Sequence, residues 1–88
     1  MVHMDTEKLA AAISTAFGNK LRGVRAERNL TREELGKLSG MSVKTIQRFE
    51  NGERSPNLDQ FYSLCTALGV DAGELVSSAF RGITDPGK

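Results

Sequence analysis

Residues 31–51 read Thr31-Arg32-Glu33-Glu34-Leu35-Gly36-Lys37-Leu38-Ser39-Gly40-Met41-Ser42-Val43-Lys44-Thr45-Ile46-Gln47-Arg48-Phe49-Glu50-Asn51. Two helix starts and two helix stops fall within this one stretch. Thr31 can cap a helix, Glu34 completes a capping box, and Leu30 can staple onto Leu35. Gly40 suits the left-handed residue that ends such a helix. Ser42 caps the next helix at once, Met41 staples towards Ile46, and Asn51-Gly52 stops it. Two short helices joined by a tight turn form a helix-turn-helix. Leu35, Leu38, Ile46 and Phe49 are expected on its inner side, and Gly36 is small where the two helices must lie close. The outer face of the second of these helices carries Val43, Lys44, Gln47 and Arg48. Such a face can enter a major groove.

Outward from this core the chain reads as helices with punctuation. Leu9, Ile13, Phe17, Leu21 and Val24 recur at helical steps between Thr6 and Arg28. Gly18 and Gly23 leave open whether that stretch is one helix or two. After Ser55-Pro56, Asn57 caps a fourth helix whose buried stripe is Leu58, Phe61, Leu64, Cys65 and Leu68, with Tyr62 at the core edge. Asp71 and Glu74 form a second capping box, opening a short fifth helix to about Phe80. No stretch alternates as a strand would. The expectation is an all-α fold: a five-helix DNA-binding domain over residues 17–80, a helical extension over 1–16 and a flexible tail over 81–88.

Eighty-eight residues leave no room for a separate catalytic domain. No nucleophile–base–orienter set, phosphate loop or cluster with metal-ligand spacing is visible, so neither an enzyme nor a cofactor is expected. His3 is isolated and set aside as a ligand. The single cysteine, Cys65, cannot form an internal disulfide and reads as a small buried hydrophobe. No run is long and apolar enough for a membrane span, and the expected address is cytoplasmic. The net charge of +1 hides an uneven distribution. Lys20 to Arg54 holds nine basic and five acidic residues, whereas Ser55 to Phe80 holds three acids and no Lys or Arg. A basic middle suits a polyanion-binding surface. Lys20 and Arg22 read as surface charges with a general electrostatic role.

The run Leu21-Arg22…Arg25…Leu30 to Leu35, then Ser39 to Ser42, Ile46 to Glu53, Pro56 and Ala67-Leu68-Gly69-Val70 resembles the phage repressor and Cro class of helix-turn-helix regulators, also called the xenobiotic-response-element family. The resemblance covers roughly Phe17 to Val76. It implies contact with phosphate or an outer base pair by Arg32, at the start of the second helix, and DNA contact by Val43, Lys44 and Arg48 on the recognition helix. It also places Thr45, Asn51 and Arg54 near the DNA backbone. With Ser42 and Gln47 these make the expected DNA-binding set. Arg48 can pair bidentately with guanine and Val43 can pack on a thymine methyl. Arg25 and Glu50 both point inward from their helices, and the resemblance pairs them as a structural ion pair. It also points to the C-terminal helix, at Val76 and Phe80, as a homodimer contact; Leu9 and Ile13 are a second candidate for it. The function implied is a transcriptional regulator, a repressor on a palindromic operator in double-stranded DNA. The alternative is an antitoxin or adaptor that chiefly binds a protein partner.

Overall fold

The computed structural model describes residues 5–84, which form α1 (Thr6–Glu27), α2 (Arg32–Ser39), α3 (Val43–Glu50), α4 (Leu58–Leu68) and α5 (Ala72–Thr84). No strand occurs among the described residues. His3 and residues 85–88 of the expected tail lie outside them.

The expected punctuation operates at the starts of α2, α3 and α4. The capping box expected of Asp71 and Glu74 is half formed: the Glu74 amide donates to Asp71 Oδ2 at 2.9 Å without a reciprocal bond among the described residues. Thr31 accepts from the Glu34 amide at 3.0 Å while the Glu34 carboxylate accepts from the Thr31 amide at 2.8 Å. Asn57 and Gln60 make the same reciprocal pair at the start of α4. Ser42 caps α3 by accepting from the Thr45 amide at 3.1 Å. Gly40 ends α2 at φ 77°, a left-handed conformation that costs other L-residues steric strain.

α1 is a single helix across Gly18, Gly23 and the boundary expected at residue 16. Gly18 serves a close approach, not a bend. A Cβ there would fall onto the Phe49 carbonyl oxygen and within 2.9 Å of the Glu50 carbonyl oxygen. α1 therefore lies directly on the C-terminal end of α3. Gly36 has a similar reason, since a Cβ would sit 2.6 Å from the Met41 carbonyl oxygen in the turn.

The core joins Phe17, Leu21 and Val24 of α1 to Leu35, Ile46, Phe49, Leu64, Cys65, Leu68 and Leu75. Phe17 meets Phe61 edge-on at 5.8 Å between ring centroids. Cys65 is buried, and burial, followed by the nearby Asp71 charge, pushes its thiol pKa up.

Three apolar assignments are corrected. Leu38 is 60% exposed, Leu58 81% and Tyr62 68%. α2 buries the strip through Leu35 and Gly36, and Leu38 falls on the flank away from Gly36. Leu58 opens α4 before its buried run of Leu64, Cys65 and Leu68, and Tyr62 follows it one turn later on the same flank. α5 also continues four residues past its expected end at Phe80, so the start of the expected tail is helical.

Gly18 and Gly23 make a matched test. Gly18→Ala is expected to destabilise by about 1–3 kcal/mol, because backbone blocks the new methyl. Gly23 has nothing within 4 Å of its would-be Cβ, so Gly23→Ala should stabilise by about 0.5–1 kcal/mol. Urea unfolding of both variants checks the sign of each.

Candidate nucleic-acid interface

α3 is only eight residues long, too short to be helical alone, and is held from both ends and behind. Behind, Ile46, Phe49 and Glu50 are buried. In front, Lys44, Gln47 and Arg48 are exposed and Val43 is 37% exposed. Lys44 and Arg48 make no ion pair with any described residue, so two cations stand free on one helix face. Asn51 follows on the same side and is exposed.

Other members of the expected set have protein partners. The Ser42 hydroxyl accepts from the Thr45 amide and donates to Thr45 Oγ1 at 2.9 Å. Ser42 is thus occupied as a cap, while the Thr45 hydroxyl keeps its own proton to donate. Arg54 is exposed, and its guanidinium carbon lies 5.6 Å from the Phe49 ring centroid, so it covers the end of the core as well as facing solvent.

The ion pair expected between Arg25 and Glu50 is present and larger than a pair. Arg25 Nε donates to Glu50 Oε2 at 2.6 Å and Nη2 to Oε1 at 3.1 Å. Arg25 Nη1 reaches the Leu30 carbonyl oxygen at 2.8 Å, tying down the connection into α2. Arg32 Nε donates to Glu50 Oε1 at 3.0 Å. A side chain expected to face DNA thus also braces the core. Arg22, read from sequence as a surface charge, donates through Nη2 to the Glu50 carbonyl oxygen at 2.6 Å. That oxygen ends α3, where helix carbonyls lack intrahelical donors. The three-residue step from Arg22 to Arg25 was the available signal, since it places both on the face of α1 turned to α3.

Burial pushes the Glu50 carboxyl pKa up, but the hydrogen bonds from Arg25 and Arg32, with their charges, outweigh it and leave it below the ordinary value. The hydrogen bond to Glu50 raises the Arg25 pKa against the opposing effect of burial. Both shifts favour the charged forms, so the Arg25–Glu50 pair is ionised across the physiological range.

Comparison with known proteins agrees with this geometry. The family model described as Helix-turn-helix matches residues 21–75, from α1 to the buried Leu75 of α5. The chain belongs to the Cro-type helix-turn-helix family of DNA-binding transcriptional regulators. It is 35% identical over 69 residues to the cryptic phage CTXphi transcriptional repressor RstR of Vibrio cholerae, covering 78% of this chain. The match spans 62% of RstR's own length. It is 36% identical over 74 residues to the uncharacterized HTH-type transcriptional regulator y4dJ of Sinorhizobium fredii, covering 84% of this chain and 87% of that one. Among solved structures, the restriction-modification controller protein C.AhdI of Aeromonas hydrophila superposes with a TM-score of 0.68 at 34% identity, covering 70% of this chain and 94% of that one. This helix-turn-helix family is one of regulators and not of enzymes. No helix of the described residues is long and apolar enough to cross a membrane.

The buried carboxylate gives the helix-turn-helix a pH dependence of definite sign. A lowered Glu50 pKa means that its stabilisation is complete above the ordinary glutamate value, about 4.3, and is lost as pH falls through the lowered value. Glu50→Ala should cost about 3–5 kcal/mol, because two arginines lose their counter-charge. Glu50→Gln should flatten the acid limb of stability. Urea midpoints measured from neutral pH down to acid, for the wild type and Glu50→Gln, check this.

Proposed function

We propose that the protein regulates transcription, chiefly as a repressor, by binding a palindromic operator in double-stranded DNA as a homodimer. Two copies of α3 then enter successive major grooves about one helical turn, ~34 Å, apart. The observation that carries this reading is the partner-free outer face of α3, where Val43, Lys44, Gln47 and Arg48 surround nothing of the protein itself. Arg48 reads a guanine, Val43 packs on a thymine methyl, and Lys44 supplies charge. Thr45, Asn51 and Arg54 lie along the DNA backbone, with Ser42 holding the first turn of α3. Such a protein acts in the cytoplasm, on the DNA there.

The dimer contact we assign to the apolar groove of about 210 Å³ between α1, α4 and α5, lined by Ile13, Pro56, Leu58, Phe61, Val76 and Phe80. Its occupant is a second copy of the chain. Ser55 and Pro56 belong both to this groove and to the connection leaving α3. Two grooves mated about a two-fold axis would therefore keep both α3 helices on one side of the pair. Both candidates raised by the sequence, α5 and the N-terminal extension, border this groove through Phe80 and Ile13.

Selection of bound sites from random DNA tests the reading. It should return an inverted repeat with half-sites one turn apart and a G·C pair in each. On that site Arg48→Ala should lose about 1–3 kcal/mol and relax discrimination at one base pair, read by fluorescence anisotropy. Phe80→Asp should sediment as a monomer at micromolar concentration and lose about 10²-fold or more of the avidity for the full operator. A half-site affinity left within about threefold of wild type would show that the fold survives.

A further inference from the structure

Arg32 opens α2, and only one of its three guanidinium nitrogens is engaged. Nε donates to Glu50 Oε1 at 3.0 Å, while the two terminal nitrogens have no partner among the described residues and the side chain is 33% exposed. The carboxylate it leans on is fully buried and is held on its other side by Arg25 through two hydrogen bonds. Arg25 is in turn tied to the Leu30 carbonyl oxygen. The Arg32 stem therefore meets a fixed point, whereas an ordinary surface arginine samples many rotamers.

The position of that fixed point matters. Glu50 follows Gln47 by three residues and Val43 by seven, so all three share one flank of α3. A guanidinium docked on Glu50 stands beside the flank that Val43 and Gln47 present to DNA. A planar fork with its stem pinned and its tips free matches the oxygens of a phosphate, to which arginine donates in pairs.

Resting on the regulator reading above, we propose that Glu50 is a positioning residue for DNA binding, and that it pre-orients Arg32 as a two-pronged clamp on one backbone phosphate of each half-site. The same carboxylate then serves two ends: it neutralises Arg25 within the fold, and it sets the aim of a group outside it. Arg32 fixes the register of the duplex against α3 and carries no base preference, as backbone contacts do.

A double-mutant cycle on the selected operator tests this, with Arg32→Ala, Glu50→Gln and the double variant, each first shown to be folded by circular dichroism. Arg32→Ala should weaken binding about tenfold. It should also make the dependence of log Kd on log salt shallower by about two, one for each protomer of the dimer, without changing the preferred bases. In the Glu50→Gln background the same substitution should cost less than about threefold. Arg32→Lys should restore the salt slope and only part of the affinity, since an ammonium has no fork.

A full Arg32→Ala effect in the Glu50→Gln background would overturn the positioning role. A change in base preference with an unchanged salt slope would overturn the phosphate assignment. Should Glu50→Gln unfold, the unaltered protein still decides. Operator binding should then shift the Arg32 Nη resonances while its Nε–H stays in the hydrogen-bonded range, and unmoved Nη signals would refute the clamp. A folded protein that selects no DNA site fails the regulator reading instead, whereas tight selective binding indifferent to Arg32→Ala fails only this inference.

Discussion

A carboxylate buried to 1% exposure is the constraint around which this domain is arranged. An uncompensated charge at that depth would cost several kcal/mol, so Glu50 can occupy its place only if cations are brought to it from other elements. α1 supplies Arg25 and α2 supplies Arg32. The demand of one side chain on α3 thus fixes the placement of two other helices. Burying an ion pair need not add net stability over an apolar contact of the same shape. It differs in direction: the apolar core tolerates sliding, whereas hydrogen bonds of 2.6–3.1 Å between a fork and a carboxylate do not.

α1 extends the same device along its length. Arg22, Arg25 and Arg28 follow at three-residue steps, and each ends on an oxygen of another segment. Arg22 takes the Glu50 carbonyl, Arg25 the Glu50 carboxylate and the Leu30 carbonyl, and Arg28 the Leu68 carbonyl at 2.9 Å. Glu50 and Leu68 are the last residues of α3 and α4, where the helix dipole favours a cation. One row of arginines therefore closes the C-terminal ends of two helices.

This explains what the sequence made legible and what it concealed. Caps, stops and the helix-turn-helix were readable because each rests on a residue or two close in sequence: Thr31 with Glu34, Asn57 as the cap of α4, Gly40 at the end of α2. The inward direction of Arg25 and Glu50 was readable from helical spacing. The acceptors of Arg22 and Arg28 were not, because they are backbone oxygens 28 and 40 residues away, and the step from Arg22 to Arg25 marks only the direction in which Arg22 points. The excess of basic residues between Lys20 and Arg54 overstates the charge left over for a polyanion, because four of those nine cations also bind the protein's own oxygens. Gly18 left one helix or two open because propensity is local, whereas the reason for it is a carbonyl on α3. Leu38 and Leu58 read as core, and Tyr62 as its edge, because periodicity locates a stripe but not its width.

With Arg22, Arg25, Arg28 and the Nε of Arg32 held by the protein's own oxygens, the division of labour on α3 becomes clear. An isolated helix of two turns would fray in water, and a frayed helix could not hold side chains in a groove to the tolerance that base recognition asks. Ser42 satisfies its first turn, Arg22 its last carbonyl, and Glu50 locks its rear to two neighbours. None of these tasks falls to Val43, Lys44, Gln47 or Arg48. Because the backbone is secured wholly from behind and from the ends, those four positions are free of structural duty. They can change with the DNA sequence to be read while the scaffold beneath them stays the same.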